Sequence, residues 1–172
     1  MQGIQTKYID SPVGKLAISA NREGLRAVLF VDSNNSKHLI PQETDTTNDI
    51  IEATIVQLIE YFDKKRTQFN IPLNLEGTDF QKRVWQSLLA IPFGSICSYK
   101  SLSIALGDVK AIRAVGTANG KNPISIIVPC HRVIGSDNTL VGYGGELWRK
   151  EKLLILEGAY KPSFESQLSI FG

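Results

Sequence analysis

The hydrophobic period changes once along this 172-residue chain, and that change constrains the fold more than any other feature. Apolar and polar residues alternate from Ile4 to Ile9 and from Lys15 to Ala20, with Ser11-Pro12-Val13-Gly14 as the turn between them, and again from Leu25 to Val31 after Gly24. A period of two puts successive side chains on opposite faces, so these runs predict a small antiparallel meander. Asp32 to Asn48 is polar and turn-rich, a loop. Ile51, Ile55, Leu58, Ile59 and Phe62 then recur at helical spacing, which predicts a helix from about Asp49 to Phe62 covering one face of the sheet. A short extended piece from Phe69 to Leu75 closes this part.

Beyond Gly77 the pattern is helical throughout. Thr78-Asp79-Phe80-Gln81 is a capping box, opening a helix whose Phe80, Val84, Trp85, Leu88 and Leu89 form one apolar stripe before Ile91-Pro92 stops it. Trp85 on such a stripe is core. Ser98 to Gly107 predicts a short helix capped by Ser98 and ended by Gly107, and Ala111 to Asn119 a second one ending at Gly120. Two short helices joined by a tight turn are a helix-turn-helix candidate, though the small residues of the second suit close core packing as well. Val141-Gly142-Tyr143-Gly144-Gly145 is a flexible loop, and a final helix from Glu146 to Glu157 is expected to turn Leu147, Trp148, Leu154 and Ile155 inward. Glu157 in its last turn opposes the helix dipole. The chain therefore divides into a sheet-plus-helix part, residues 1–76, and a mostly helical part, residues 77–172, an α+β arrangement.

Chemistry concentrates in one pentapeptide. The apolar run Ile124-Ser125-Ile126-Ile127-Val128 ends in Pro129-Cys130-His131-Arg132-Val133, a thiol, an imidazole and a guanidinium in succession. A thiolate is the reactive form of cysteine, and positive charge or a hydrogen-bonded base favours it. Consecutive strand residues face opposite sides, so Cys130 and His131 need a turn or a bridging water to share a proton. Pro129 breaks a sheet ladder and requires the chain to leave the strand there. By itself such a pair reads first as a small core cysteine beside a satisfied histidine, and only second as a reactive dyad. Lys100, Lys110, Arg113, Lys121 and Arg132 stand against Asp108 alone between Cys97 and Gly135, a local charge of +4 in a chain of net +2. That distribution suits either a polyanionic partner or a solvated basic face.

Two cysteines make no disulfide framework, the start of the sequence lacks a signal peptide's apolar core, and the longest apolar runs are too short to span a bilayer. A protein of the cytoplasm, with no membrane partner, is expected. His38 has no cysteine near it in sequence, so no metal site is expected.

Several segments converge on one family. From Phe80 to Gly158 the chain closely resembles the O6-alkylguanine-DNA alkyltransferases, or methylated-DNA–protein-cysteine methyltransferases. The resemblance is carried by Pro129-Cys130-His131-Arg132-Val133, Asn122-Pro123, Arg113-Ala114-Val115-Gly116, Ser98-Tyr99, Gly142-Tyr143-Gly144-Gly145 and Glu157-Gly158, in order and without a gap. It implies a ribonuclease H-like N-terminal domain and a C-terminal domain with a winged-helix-like helix-turn-helix. Cys130 would take the alkyl group from O6 of guanine, or O4 of thymine, irreversibly and once per molecule. His131 would serve as base through a bridging water, Glu157 would orient the imidazole, and Asn122 would fix the turn. Tyr99 would donate a hydrogen bond to guanine N3 as charge develops. Arg113 would fill the place of a nucleotide flipped from double-stranded DNA, its helix lying in the minor groove with little regard to sequence. Lys110, Ala111, Ala114, Gly116 and Lys121 would accompany it on the DNA.

Val133, Tyr143, Gly144 and Gly145 would wall the guanine pocket, with the carbonyls of Cys130 and Val133 offered to guanine N2. Gly144, where relatives carry Ser or Ala, would loosen that pocket for bulkier adducts. The resemblance implies no cofactor and a monomer, leaves Cys97 as structural, and gives Arg132 the role of electrostatic aid or anchor. Two alternatives remain: an alkyltransferase-like lesion binder without the transfer step, from which an intact Cys130 departs, and a cysteine hydrolase or redox protein, which would leave Arg113 and the helix-turn-helix unexplained.

Overall fold

The computed structural model describes residues 3–143 and 145–161, so Gly144 lies outside the described residues. Strands β1 (Gln5–Ile9), β2 (Leu16–Ala20) and β3 (Leu25–Phe30) form an antiparallel sheet in sequence order. Helix α1 (Asp49–Phe62) packs on it, capped where Asn48 Oδ1 accepts from the Ile51 amide at 2.9 Å. All five residues of the central strand β2 are buried, including Ser19, whose hydroxyl is bonded to that of Thr6 at 2.8 Å. Alternation is lost on β2 because protein covers both of its faces. The extended piece after α1 contributes only a bridge, in which Leu25 donates to the Pro72 carbonyl and accepts from Asn74, both at 2.8 Å.

The face α1 buries is rotated from the expected one. Ile51, Thr54, Leu58 and Tyr61 point inward, while Ile59 is 52% exposed. Spacings of three, four and three residues follow a 3.6-residue period more closely than the all-aliphatic stripe does.

Helix α2 (Asp79–Leu88) carries the capping box: Thr78 Oγ1 accepts from the Gln81 amide and Gln81 Oε1 from the Thr78 amide. Val84, Trp85 and Leu88 are buried, with Trp85 Nε1 donating to the Ala118 carbonyl at 2.9 Å; Leu89, past the helix end, is largely exposed. A two-residue strand β4 (Cys97–Ser98), which holds the half-buried Cys97, leads into α3 (Tyr99–Ala105). A short 3-10 turn then precedes α4 (Ile112–Gly120). Ser98 Oγ caps α3 and Gly107, at φ +89°, ends it. Helices α3 and α4 pack together, the two-helix unit expected.

The apolar run before the cysteine is not a strand. Only Ile124 bridges to Val28; beyond it the chain coils, with Val128 donating to the Ile124 carbonyl and Ile126 at φ +74°. A β-branched residue in the left-handed region is strained, and the side chain of Asn122 binds both ends of the coil and holds it there. Coiling buries Ile124, Ile126 and Val128 fully.

Helix α5 (Leu147–Leu156) also departs from expectation. Leu147 and Trp148 are 47% and 43% exposed and Ile155 is half-buried; the inward residues are Arg149, Lys150, Leu153 and Leu154. Arg149 donates to the carbonyls of Val13 (2.7 Å) and Gly145 (3.0 Å), pairs with Asp32, and stacks on Phe30. Buried charge is stable when so fully bonded, and here it joins the helical part to the sheet. Among the described residues no helix is long and apolar enough to cross a membrane.

Candidate active site

After Pro129, residues Cys130–Arg132 form one 3-10 turn, and β5 (Val133–Ile134) pairs in parallel with β4. The turn buries all three side chains, with His131 and Arg132 converging on Glu157 and Cys130 meeting Asn122. His131 Nε2 donates to Glu157 Oε1 at 2.7 Å, and Arg132 donates Nε to Oε2 and Nη2 to Oε1, each at 2.9 Å. The remaining Arg132 nitrogen, Nη1, donates to the Ile91 carbonyl at 2.6 Å. Arg132 is thus an anchor and the counter-ion of Glu157, where the sequence left its role open.

The oddly placed glutamate has its explanation in these contacts. Burial alone would raise its pKa, but the hydrogen bonds from His131 and Arg132 and the Arg132 charge prevail and hold it at about 2. Burial lowers the pKa of His131, against the pull of Glu157, so the imidazole is neutral at neutral pH. Its Nε2 proton faces the carboxylate, which leaves Nδ1, buried and without a hydrogen bond among the described residues, as the basic nitrogen.

Cys130 Sγ accepts a hydrogen bond from Asn122 Nδ2 at 3.1 Å. Burial pushes the thiol pKa up, opposed by Asn122 and by the charge of Lys150, so Cys130 rests protonated and needs a base to react. Among the described residues no hydrogen bond joins Sγ to His131, so proton transfer between them requires an intermediary such as water. Asn122 also donates to the Val128 carbonyl (2.8 Å) and accepts from the Ile124 amide (3.0 Å), tying the reactive sulfur to the coil that presents it.

Expected residues gather around two openings. A cavity of about 580 Å³ is lined by Cys130, Asn122, Tyr143 and Gly145, with Lys121 and Phe30. Gly145 has no room for a Cβ, which would collide with the Phe30 ring. A shallower depression of about 470 Å³ joins Tyr99, Arg113, Gly116 and Gly142. The Tyr99 hydroxyl donates to the Gly142 carbonyl at 2.7 Å, and burial raises its pKa to about 12. Arg113 and Ala114 are exposed on α4, as are Lys110 and Lys121 on either side of it, with Ala111 half-buried. Val133 is fully buried, and its carbonyl already accepts from Lys150.

Lys150 and Tyr61 are the residues that the sequence did not announce. Lys150 Nζ also donates to the Val141 carbonyl at 2.8 Å and lies over the rings of Tyr99 and Tyr143, so it braces the loop beside Cys130. Tyr61, at the end of α1, donates its hydroxyl to Glu157 Oε1 at 2.7 Å. Among the described residues there is no group of three or more His, Cys, Asp or Glu arranged to hold a metal ion.

Known proteins share both parts of this architecture. Residues 79–159 match the family model described as the DNA-binding domain of 6-O-methylguanine DNA methyltransferase, and residues 4–75 match that of its ribonuclease-like domain. A methylated-DNA–protein-cysteine methyltransferase of Mycobacterium tuberculosis is 43% identical over 93% of this chain and 96% of its own length. A namesake from Methanosarcina barkeri is 43% identical over 87% and 94%. The crystal structure of Mycobacterium tuberculosis OGT in complex with DNA superposes with a TM-score of 0.79 at 41% identity, covering 98% of this chain and 99% of that one. Matched along nearly its whole length in sequence and in fold, the chain belongs to the 6-O-methylguanine DNA methyltransferase family.

Proposed function

We propose that this protein repairs alkylated DNA by direct reversal, moving a methyl or larger alkyl group from O6 of guanine, and from O4 of thymine, to Cys130. The observation that carries this reading is a buried sulfur held by an amide donor beside a neutral histidine whose other nitrogen is fixed on a buried carboxylate. His131 Nδ1 takes the thiol proton through water, and Sγ attacks the alkyl carbon. The carbon–O6 bond breaks, and its electron pair passes to the base. Tyr99 turns from the Gly142 carbonyl to the leaving base and donates a hydrogen bond to N3 as charge develops. No second step frees the thioether, so each molecule acts once.

The partner is double-stranded DNA, entered from the minor groove by α4. Arg113, exposed beside the depression that holds Tyr99, takes the place of the flipped nucleotide. Lys110 and Lys121 meet phosphates on either side. In this reading residues 1–76 and 77–172 are two domains, and the protein works in the cytoplasm as a monomer without a cofactor.

Incubation with a duplex containing O6-methylguanine, followed by intact-mass measurement, tests it. A gain of one methyl, mapped to Cys130 and absent in Cys130→Ala, is expected. Retained lesion binding with unchanged mass would instead support the non-transferring lesion binder, and product released over repeated cycles would support a hydrolase.

A further inference from the structure

We propose that Tyr61 is a positioning residue of the transfer reaction: its phenol, donating to the oxygen of Glu157 that also takes the His131 proton, sets how strongly the carboxylate holds the imidazole. The inference rests on the reading of His131 as base, and it draws the sheet-bearing part of the chain into the chemistry.

Tyr61 and Glu157 are 96 residues apart in sequence and both are buried. The phenol ring is fixed by edge contacts with Phe62 and Phe93, at 5.3 and 6.1 Å between centroids, and by a tilted contact with Phe69 at 5.5 Å. Oε1 of Glu157 accepts from three donors: Tyr61 at 2.7 Å, His131 Nε2 at 2.7 Å and Arg132 Nη2 at 2.9 Å. Donors on one carboxylate oxygen share its charge, so each weakens the pull on the others. The phenol contributes through a neutral hydroxyl: burial, then the charge of Glu157, raises its pKa far above any working pH.

The groups facing this carboxylate are few. Tyr61 comes from α1, His131 and Arg132 from the 3-10 turn, and at longer range Tyr143 from the loop, while Lys150 of α5 acts on His131 itself. Removing the Tyr61 hydroxyl leaves more of the Glu157 charge to His131 and raises the imidazole's pKa. A base must be neutral to accept a proton, so the acid side of the pH–rate profile then moves to higher pH.

Tyr61→Phe keeps the ring and its packing while removing the donor. Titration of the His131 ring by NMR in the free protein is expected to shift upward by about one pH unit. The acid limb of methyl transfer should move in the same direction. Site-specific 3-fluorotyrosine at position 61, a more acidic and stronger donor, keeps the hydroxyl and the fold, and should shift both downward. An unchanged His131 titration in both variants overturns the proposal, as do shifts of the same sign. Because that titration uses neither DNA nor alkyl group, a shifted His131 in a protein that fails to take up methyl would reject the repair reading and leave the Tyr61 coupling standing.

Discussion

Glu157→Gln is expected to destabilise the fold by about 3–5 kcal/mol and to slow methyl transfer by about 10²-fold or more. The stability loss arises at Arg132. Its guanidinium is buried, and two of its three hydrogen bonds go to the ion that glutamine removes; the third goes to the Ile91 carbonyl, which carries no full charge. A buried ion pair broken on one side leaves the other charge uncompensated. The rate loss has a different origin. A glutamine amide can donate to His131 Nε2, which drives the ring proton to Nδ1 and abolishes the basic nitrogen on the side of the thiol.

The wild-type pH dependence supplies a second measure. A carboxyl held at about 2 against an ordinary 4.5 contributes stability that is fully present above pH 4.5 and is lost as pH falls toward 2. The difference amounts to about 3 kcal/mol. Denaturant unfolding across that window should show the slope in the wild type and a flatter line in Glu157→Gln. Equal slopes would mean that Glu157 is not the ion the fold depends on.

What the sequence made legible follows from locality. The meander, the capping box of Thr78 and Gln81, the Ser98 cap and the pair of short helices depend on neighbours a few residues apart, and each stands where its local signal placed it. The reactive pentapeptide was visible because a thiol, a base and a proline in succession are rare in combination. Features that depend on distant partners were not visible. Arg149 and Lys150 face inward because the carbonyls of Val13, Gly145, Val133 and Val141 wait for them, and no hydropathy pattern encodes such acceptors. The coil from Ile124 to Val128 replaces the strand that its composition suggests because one amide, Asn122, holds it from outside the run. Tyr61 lies one position off the aliphatic stripe of α1, and its function appears only once Glu157 is brought beside it.

Asn122→Asp is expected to slow methyl transfer by about 10²–10³-fold while changing a single atom of the side chain. Asparagine serves the site with opposite polarities at its two ends. Oδ1 accepts from the Ile124 amide, which aspartate can still do, whereas Nδ2 donates to the Val128 carbonyl and to Cys130 Sγ. Aspartate turns that donor into an acceptor facing two acceptors. Beside a sulfur whose pKa burial has already raised, a carboxylate repels the thiolate instead of stabilising it, and the thiol becomes harder still to ionise. The Val128 carbonyl keeps the Cys130 amide as donor, so the loss of the Asn122 donor costs the fold about 1–2 kcal/mol in addition. Asn122→Ala, which removes the donor without adding charge, should lie between wild type and Asn122→Asp in single-turnover rate at pH 7. The ordering separates the two contributions: equal rates for Ala and Asp would assign the effect to loss of the donor alone, and an Asp variant as fast as wild type would show that the amide does not stabilise the sulfur. With the amide in place, the same side chain bends the apolar run out of the strand and supplies the hydrogen bond its cysteine needs, so the strain at Ile126 and the reactivity at Cys130 have one cause.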